Sequence, residues 1–499
     1  MSHPPSAKTV QEYIDETPAW SDGTGVADAP MTSMQWRIWW LATAGKFFEG
    51  MVVFMTGVAL PLVALEFSLD ATQKGMVGAA SLFGILIGAT ALGGLSDVFG
   101  RKFLFILEMV LFTIFLSLVA FSPNFTMMVI CLFGMGLALG CDYPTAHMVI
   151  SESIPSQYRG RLVLSAFGFQ AVGALAGTVL GFIILKSSES LTDWRWMYGM
   201  AILPALLVVI GRFFITQSPQ WLVSQGRLAD AERETEKLLR RLPVYPHKVT
   251  LRAPHEDPVE KGTEKQPSYW KLFKKKKNRR ATILASVPWF LQDLSTYGIG
   301  IFTPTILAAT LGVVHSEAPN LSAVIHQDMQ GAKGAALIDV LLIVGIVGAI
   351  FLADKVGRIK LQVFGFIGCA FGLLLAAFSE YFDGTTKLIL IFSGFMIFNF
   401  MTNLGPNAMT YLLAGEVFPT KVRGLGAGFA ASFAKIGAVL TAFFFPILLN
   451  DIGTATLLYI LVGASLLGAW ITWRFGIETK GMNLEHIGLD EIPAPTRQS

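Results

Sequence analysis

Apolar residues are gathered into long runs, and short polar or charged stretches separate these runs along most of the chain. A bilayer core about 30 Å thick is crossed by a helix of roughly 20 apolar residues. Six runs of that length precede the polar stretch 221–280 and six follow it. Their centres lie near residues 50, 86, 112, 136, 174, 206, 295, 344, 370, 400, 437 and 465. The pattern predicts an all-α polytopic membrane protein with twelve transmembrane helices.

A charged turn recurs at the same place in the two halves of this pattern. The stretch from Gly93 to Lys102 and the stretch from Ala353 to Arg358 each separate two apolar runs, and both contain an aspartate followed by a glycine and an arginine. Many transporters are built from such repeats, with a solute site near the membrane midplane where the repeats meet. The repeat predicts two homologous six-helix bundles, and it makes transport the first functional hypothesis.

The polar stretches divide the chain into five predicted parts. Leucines at helical intervals between Arg227 and Leu239 predict an amphipathic helix in the central linker. We expect a loose N-terminal tail, a flexible segment from Pro243 to Pro267, and an extracytoplasmic loop over 312–333. The five parts are an N-terminal tail (1–35), a first six-helix bundle (36–220), a linker (221–280), a second six-helix bundle (281–478) and a C-terminal tail (479–499).

Composition supports a protein that lives in lipid. Hydrophobic residues make up 53% of the chain and charged residues only 15%, and the mean hydropathy is +0.56. Basic residues cluster in the short stretches between apolar runs, which are cytoplasmic by the positive-inside rule. Both termini are then cytoplasmic, in an inner or plasma membrane. The basic stretches hold Arg101 and Lys102, Arg159 and Arg161, Lys355, Arg358 and Lys360, Lys421 and Arg423, and the lysine-rich run 274–280.

Several function classes are disfavoured. The sequence has no glycine-rich phosphate loop, no metal-spaced set of histidines and cysteines, and no nucleic-acid module, and its soluble stretches are too short for a catalytic domain. The lysine-rich run is typical of a topology signal in contact with anionic lipid. Cys131, Cys141 and Cys369 lie in apolar runs and are expected as core residues. We therefore expect a monomeric protein that is no enzyme and needs no cofactor.

Charged residues inside apolar runs mark the candidate chemistry. A charge at the membrane centre costs on the order of 2.5–3.5 kcal/mol on insertion scales, so it persists mainly where it is paired or functional. Lys46, Glu49, Asp142, Asp293 and Lys435 meet this criterion. Charges of both signs in both halves predict an ion site with protons as the coupling ion. The spacing of Lys46 and Glu49 also allows them to neutralise each other, which would leave Asp142 as the main proton carrier.

The predicted seventh helix has the clearest pattern. Trp289, Asp293 and Tyr297 are four residues apart, so they share one helical face and can present an indole, a carboxylate and a phenol to one cavity. Lys435 could act only as the counter-ion of Asp293. Gln170 and Asn407 could be hydrogen-bonding residues between helices and not solute ligands.

The chain resembles the major facilitator superfamily, in its sugar-porter-like branch. Glu152 and Arg159 recur as Glu416 and Arg423, each pair seven residues apart, and the segments 217–222 and 478–481 resemble the branch's signatures after the sixth and twelfth helices. The resemblance implies alternating access by two six-helix bundles. The charged turns then suit a gating latch, although their basic residues could also serve only to hold orientation. The candidate gating residues are Asp97, Arg101, Glu152, Arg159, Asp354, Arg358, Glu416 and Arg423.

Four segments further resemble the phosphate:proton symporters of that branch: 140–144, 289–293, 403–407 and 434–438. The resemblance implies a proton route through Glu49, Asp142 and Asp293. Val52 and Lys46 depart from the pattern, and the extra cation could favour a carboxylate over phosphate. The implied solute-binding residues are Tyr143, Gln170, Trp289, Asp293, Tyr297, Asn407 and Lys435.

The functional prediction is a proton-coupled symporter that imports a small anionic solute, either inorganic phosphate or an organic acid. Two alternatives stay open. One is a transporter of a sugar or another neutral metabolite in the same superfamily. The other is a nutrient sensor that keeps the fold and the pocket but does not transport. The expected partners are the solute, protons and membrane lipid.

Overall fold

The computed structural model describes residues 7–17, 31–92, 95–240, 248–252, 272–273, 275–311, 321–418 and 423–480. These residues are helical almost throughout, and an isolated bridge between Lys8 and Leu251 is the one β pairing among them. Lys421, Asp97's side chain, most of the stretch from Pro243 to Pro267, and the predicted C-terminal tail beyond residue 480 lie outside the described part of the chain.

The first six apolar runs form long helices, as predicted. A capped short helix precedes them, and a π-helical turn over Gly88–Leu92 extends the second. These elements are α1 (Val10–Asp15), α2 (Ser33–Glu66), α3 (Ala71–Ile87), α4 (Leu95–Phe99), α5 (Arg101–Ala120), α6 (Phe125–Ser153), α7 (Ser156–Ser187) and α8 (Asp193–Phe213).

The second half follows two short helices, of which the second is the predicted amphipathic one and buries Ala231, Leu238 and Leu239. The elements are α9 (Pro219–Ser224), α10 (Leu228–Leu239), α11 (Lys276–Leu311), α12 (Leu321–Val356), α13 (Arg358–Phe378), α14 (Gly384–Leu404), α15 (Pro406–Glu416) and α16 (Arg423–Phe475).

The twelve-helix fold is confirmed. Ten helices of the described chain are long and apolar enough to cross a membrane. One of them, Leu425–Phe475, contains both the eleventh and the twelfth predicted runs, because the chain leaves helical geometry only at Gly453, with φ 76° and ψ 169°. The seventh predicted run lies in α11, whose 36 residues include Pro288 and Pro304.

Two expectations about polar segments are wrong. Residues 7–17 are not a loose tail, because Thr9 and Glu12 form a capping box on α1 and Asp15 accepts hydrogen bonds from the Ser156 backbone N–H and hydroxyl, both at 2.7 Å. The loop expected over 312–333 ends by Leu321, where α12 begins. Polar residues such as Asp328 lower the hydropathy of this stretch, and the low hydropathy predicted a loop. The helix nevertheless continues through the stretch, and Asp328 is buried in it. Residues 312–320 lie outside the described chain.

The chain forms two compact units, which we describe separately. The first comprises Met1–Val52, Gly84–Gly173 and Arg195–Thr263. Buried side chains link its helices through main-chain carbonyls, as in the hydrogen bond from Trp39 Nε1 to Leu162 O (2.9 Å). The predicted division into bundles over 36–220 and 281–478 stays a prediction.

The second unit comprises Val53–Phe83, Ala174–Trp194 and Glu264–Ser499. Within it, the later part of α2 packs closely on α11, since a Cβ at Gly57 would overlap the carbonyl oxygen of Ile301. The rings of Phe302 and Phe445 stack with centroids 4.7 Å apart and join α11 to α16. Small residues permit such close helix approaches, which replace the hydrophobic driving force that is missing between helices in lipid.

Candidate functional site

Asp142 belongs to a buried ionic cluster in the first unit. Its Oδ1 lies 2.6 Å from Arg212 Nη2, and Glu108 Oε1 lies 3.3 Å from Arg212 Nη1. The guanidinium also donates to the carbonyl oxygen of Phe105 and sits 3.5 Å from the centroid of that ring. The cluster joins α5, α6 and α8, and it contains two carboxyl groups but one guanidinium. It is electrically neutral only when one carboxyl group holds a proton.

The sequence analysis missed both partners of Asp142. Glu108 lies within an apolar run and was a detectable signal under the criterion applied to the other charges. Arg212 lies near the end of its apolar run, where a cation is typical of a topology signal. Its pairing with Asp142 therefore could not be recognised from the sequence pattern, because it depends on how the helices pack. A Cβ at Gly45 would overlap the Asp142 carboxylate, which means that α2 approaches this cluster closely only because residue 45 has no side chain.

Lys46 and Glu49 form a second charged pair in the same unit. Lys46 Nζ lies 2.5 Å from Glu49 Oε2, and both side chains are largely buried. The amide of Gln170 on α7 lies 3.5 Å from the other oxygen of Glu49, and the ammonium of Lys46 lies 5.5 Å from the ring centroid of Phe167. The self-neutralising pair suggested by the spacing is therefore present. Tyr143 lies beside Asp142 in α6, and its side chain is outside the described atoms.

The second unit brings together three of the predicted site residues. Lys435 Nζ of α16 donates a 2.6 Å hydrogen bond to the hydroxyl of Tyr297 and lies 3.5 Å from Asp293 Oδ2. The same ammonium is 4.4 Å from the centroid of the Tyr297 ring. All three side chains are buried. This group, which we call the α11–α16 triad, pairs the lysine with a carboxylate, as the counter-ion alternative expected.

Trp289 and Asn407 lie in the same unit with partners of their own. Trp289 is buried on α11 and packs edge-on against Tyr411 of α15, with ring centroids 6.3 Å apart. The amide of Asn407 donates to Asn403 Oδ1 at 2.6 Å, and Asn403 in turn donates to the carbonyl oxygen of Leu342 at 2.8 Å. Asn407 thus belongs to a polar chain that reaches α12, which sequence spacing did not reveal.

Four of the candidate gating residues form two matching pairs, each with an added hydroxyl group. In the first unit, Arg101 contacts Glu152 Oε1 at 3.3 Å, and the Ser218 hydroxyl donates to Glu152 Oε2. In the second unit, Arg358 contacts Glu416 Oε2 at 3.2 Å, and the Thr479 hydroxyl donates to the same carboxylate. Each charged-turn arginine therefore pairs with the glutamate of the following motif. We call these clusters the first and second charged clusters.

The other two motif arginines have different partners. Arg159 Nη2 donates to Gln11 Oε1 at 2.9 Å, so it contacts the N-terminal segment. Arg423 Nε donates to the carbonyl oxygen of Phe418 at 3.2 Å. Asp354 accepts from Arg358 at 2.8 Å and joins the second charged cluster.

Gln217 and Glu478 cap the helices that follow the charged turns. Gln217 Oε1 accepts from the backbone N–H of Lys102 at 2.9 Å, and the carboxylate of Glu478 accepts from the N–H groups of Arg358 (2.9 Å) and Ile359 (3.1 Å). The preceding glycines, Gly100 and Gly357, have φ values of 93° and 101°, which non-glycine residues adopt at a cost. The signature segments thus supply both a cap and a hydroxyl to each cluster.

The arrangement contains no candidate metal centre among the described residues, where no three His, Cys, Asp or Glu side chains gather to hold an ion. Its chemistry is that of buried carboxyl groups paired with cations, phenols, hydroxyls and amides. Such groups can bind hydroxylated or charged solutes and can exchange protons, but they offer no activated nucleophile.

Comparison with known proteins identifies the family. The family model described as "Sugar (and other) transporter" matches residues 31–490. The chain is 27% identical to the glucose transporter GlcP of Staphylococcus epidermidis, over 92% of this chain and 97% of the relative. It is 26% identical to a putative inorganic phosphate transporter of Schizosaccharomyces pombe, C1683.01, over 93% of this chain and 89% of the relative.

A solved structure shows the same fold. The partially occluded, inward-open xylose transporter XylE of E. coli superposes with a TM-score of 0.71 at 21% identity, and the match covers 91% of this chain and all of that chain. The likeness to this structure shows the fold alone. The family is shown by the family model, which matches nearly the whole sequence. The chain is therefore an integral membrane protein of the sugar (and other) transporter family, in the sugar-porter-like branch of the major facilitator superfamily, and not an enzyme.

Proposed function

We propose that the protein is a proton-coupled symporter that carries a small neutral, polyhydroxylated solute such as a sugar by alternating access. The observation that carries this proposal is the pairing of the buried lysines. Lys435 is neutralised by Asp293 in the α11–α16 triad, and Lys46 is neutralised by Glu49. A neutral solute can exchange hydrogen bonds with such pairs without bringing an uncompensated charge into a desolvated site.

The proposal assigns roles to the predicted residues. Tyr143, Gln170, Trp289 and Asn407 supply neutral hydrogen-bonding groups to the solute, and the triad residues orient it. Asp142 and its neighbour Glu108 are the main proton carrier, because the cluster that they form with Arg212 has one carboxyl group more than it has cations. The self-paired Glu49 is a secondary carrier. The relatives support this direction, since GlcP is a glucose transporter and XylE is described as a proton:xylose symporter.

The topology belongs to the same proposal. Two six-helix bundles, over 36–220 and 281–478, alternate around the solute in a cytoplasmic membrane, with both termini on the cytoplasmic side. The protein works as a monomer and imports its solute. Each charged cluster holds helix ends of its own unit, and the gate opens when its ion pairs rearrange as the bundles tilt.

A small anion such as inorganic phosphate or an organic acid is the second candidate solute. Two observations favour it: the four segments that resemble phosphate:proton symporters, and the relative C1683.01. Protonation of Asp293 would leave the Lys435 charge available to an anion, so binding of anion and proton would be coupled directly. A non-transporting sensor is the third candidate.

Transport in liposomes distinguishes these candidates. Purified protein is reconstituted, an inward proton gradient is imposed, and labelled D-glucose, D-xylose, inorganic phosphate and benzoate are offered separately. We expect gradient-driven accumulation of a sugar that a protonophore abolishes. Accumulation of phosphate or benzoate alone would support the second candidate. Binding of a probe without any uptake would support the sensor.

Asp293→Asn tests the site within the same assay. The amide keeps the size of the side chain but removes the charge that neutralises Lys435, so gradient-driven accumulation should fall at least about tenfold while the protein stays folded. Asp451→Asn, an exposed position on α16, is the matched control and should transport like the wild type. Normal transport by Asp293→Asn would contradict the assignment.

A further inference from the structure

Asp339 is a buried carboxyl group that the proposed mechanism does not use. It lies at the middle of α12, and only 3% of its surface is exposed. Its two oxygens face donors from two other helices. The Thr178 hydroxyl of α7 lies 3.1 Å from Oδ2, and the Asn399 amide of α14 lies 3.3 Å from Oδ1. Asp339 therefore occupies a three-helix junction within the second unit.

No cation neutralises this carboxyl group within the described part of the chain. The groups that act on it are neutral, namely the Thr178 hydroxyl and the Asn399 amide. On the neighbouring α11, Asp293 and Tyr297 are engaged with Lys435 of α16. The next carboxyl group on the same face of α12 is Asp328, about 16 Å away along the helix axis at 1.5 Å rise per residue. A charged Asp339 would thus depend on two neutral donors alone at membrane depth, which favours its uptake of a proton.

The Thr178 hydroxyl can satisfy either protonation state. It has one hydrogen, yet three acceptors lie 3.1 Å away: Asp339 Oδ2 and the carbonyl oxygens of Ala174 and Leu175 on its own helix. When Asp339 is ionised, the hydroxyl donates to the carboxylate. When Asp339 is protonated, the carboxyl O–H donates to Thr178 Oγ1, and the threonine hydrogen returns to the α7 carbonyls. The Thr178 hydroxyl and the Asp339 carboxyl group therefore keep hydrogen-bond partners in either protonation state.

We propose that Asp339 is a reversible proton-binding site whose protonation state sets the strength of the contact between α7 and α12. In the ionised state, a charge-assisted bond from Thr178 holds the two helices together, and such bonds are stronger than neutral ones. Proton binding replaces it with a neutral bond and weakens the contact. Because Thr178 and Asp339 come from the two halves of the sequence, this site links proton occupancy to the movement of helices from different repeats. The inference rests on the proposed proton coupling but not on the identity of the solute.

Two transport measurements test the site in reconstituted full-length protein. The probe is whichever of labelled D-glucose, D-xylose and inorganic phosphate the wild type accumulates. Accumulation driven by a pH gradient requires proton release, whereas counterflow exchange at equal pH does not. Asp339→Asn should lower gradient-driven accumulation about tenfold, within the usual range of coupling between sites, and leave counterflow within about twofold of the wild type. Asp339→Glu, which restores an ionisable group, should recover part of the accumulation.

Each other outcome counts against the proposal. Unchanged accumulation by Asp339→Asn would overturn it. Loss of both accumulation and counterflow in protein that remains monodisperse would identify Asp339 as a structural hydrogen-bonding residue and would overturn it too. Thr178→Val, which keeps the side-chain shape but removes the hydroxyl, should change the pH dependence of uptake and retain counterflow; an unaltered pH profile would contradict the proposed role of Thr178.

An infrared measurement separates this inference from the proposed function. The carbonyl band of a protonated carboxylic acid is followed during a pH titration of purified protein, without any solute. Asp339→Asn should remove one titrating band, and Asp451→Asn should remove no band from a buried acid. An unchanged set of bands in Asp339→Asn would overturn the site. If the wild type accumulates none of the probes, the proposed symport fails, and this titration still decides whether Asp339 binds a proton.

Discussion

The first and second charged clusters have the same geometry but different electrostatics. In both, a turn arginine binds a glutamate that also accepts from a hydroxyl, and a side chain from the following signature caps a helix. The cap is the neutral amide of Gln217 in the first cluster and the carboxylate of Glu478 in the second. A negative charge at a helix N-terminus interacts favourably with the helix dipole, so the second cap is the stronger one. The two clusters thus share the arrangement of their side chains but differ in the charge of the cap.

The second arginine of each motif also differs in its partner. The arginine that follows Glu152 in its motif, Arg159, binds Gln11 of the N-terminal segment, and Asp15 of the same segment binds Ser156 at the start of α7. The corresponding Arg423 donates to the carbonyl oxygen of Phe418. In the first unit, the motif is therefore tied to the N-terminal segment, whereas in the second unit the motif arginine binds a carbonyl oxygen five residues before it.

Removal of Arg101 or Arg358 should have the largest effect on stability, and the two losses should differ between the clusters. Arg358→Ala leaves Glu416, Asp354 and Glu478 close together without their cation, so it should lower the free energy of unfolding by about 3 kcal/mol, the lower end of the range for a broken buried pair. Arg101→Ala should cost about 2 kcal/mol, which is below that range, because the cap there is neutral and leaves less uncompensated negative charge. Thermal unfolding in detergent measures both, with each Arg→Lys variant as the control. A larger loss for Arg101→Ala would contradict the comparison.

Exchange of the caps should have a smaller effect. Glu478→Gln removes the charge from the N-terminus of α13 and should cost about 1 kcal/mol, the typical value of a cap. Gln217→Glu should gain less than about 0.5 kcal/mol, since the carboxylate of Glu234 already accepts from the backbone N–H of residue 217 and would repel the new charge. Unfolding at low and high salt measures both, because screening should reduce only the charged caps. Equal losses in both salts for Glu478→Gln would contradict the electrostatic explanation.

The N-terminal segment should give the smallest effect, and it should depend on pH. Burial acts to raise the pKa of Asp15, but hydrogen bonds from Ser156 and Gln11 outweigh it and hold the pKa below its ordinary value. The stabilisation is therefore complete above the unfolded-state pKa and is lost as the pH falls through the folded-state pKa. Asp15 is exposed and screened, so Asp15→Asn should cost well under about 1 kcal/mol at neutral pH.

Hydrogen exchange of residues 7–17 checks this prediction. The wild-type segment should lose protection in acid, whereas Asp15→Asn should show low protection at every pH. Glu16→Gln is the neighbouring control, because Glu16 pairs with Lys8 of the same segment, at 2.7 Å. Acid-insensitive protection in the wild type would show that Asp15 does not hold the segment.

The sequence predicted the membrane helices well because a lipid-facing backbone must satisfy its own hydrogen bonds, which turns each long apolar run into a helix. It also predicted the shared face of Asp293 and Tyr297, since helical spacing fixes that geometry. It could not predict that Asp142 binds Arg212, because pairing between helices far apart in sequence depends on packing. Asp339, like Glu108, lies in an apolar run and was detectable as a charge there. Its contacts with Thr178 and Asn399, however, depend on packing. The six residues of α1 are too few for a helical period to be recognised.

The break at Gly453 has a mechanical consequence. The last two spans are joined through this single non-helical residue, with no intervening loop in α16. Because the connection is one residue long, the helix ends on either side of Gly453 must stay together when the segment that carries Lys435 tilts. A change in the angle between the two segments would then occur as rotation about the backbone of this one glycine.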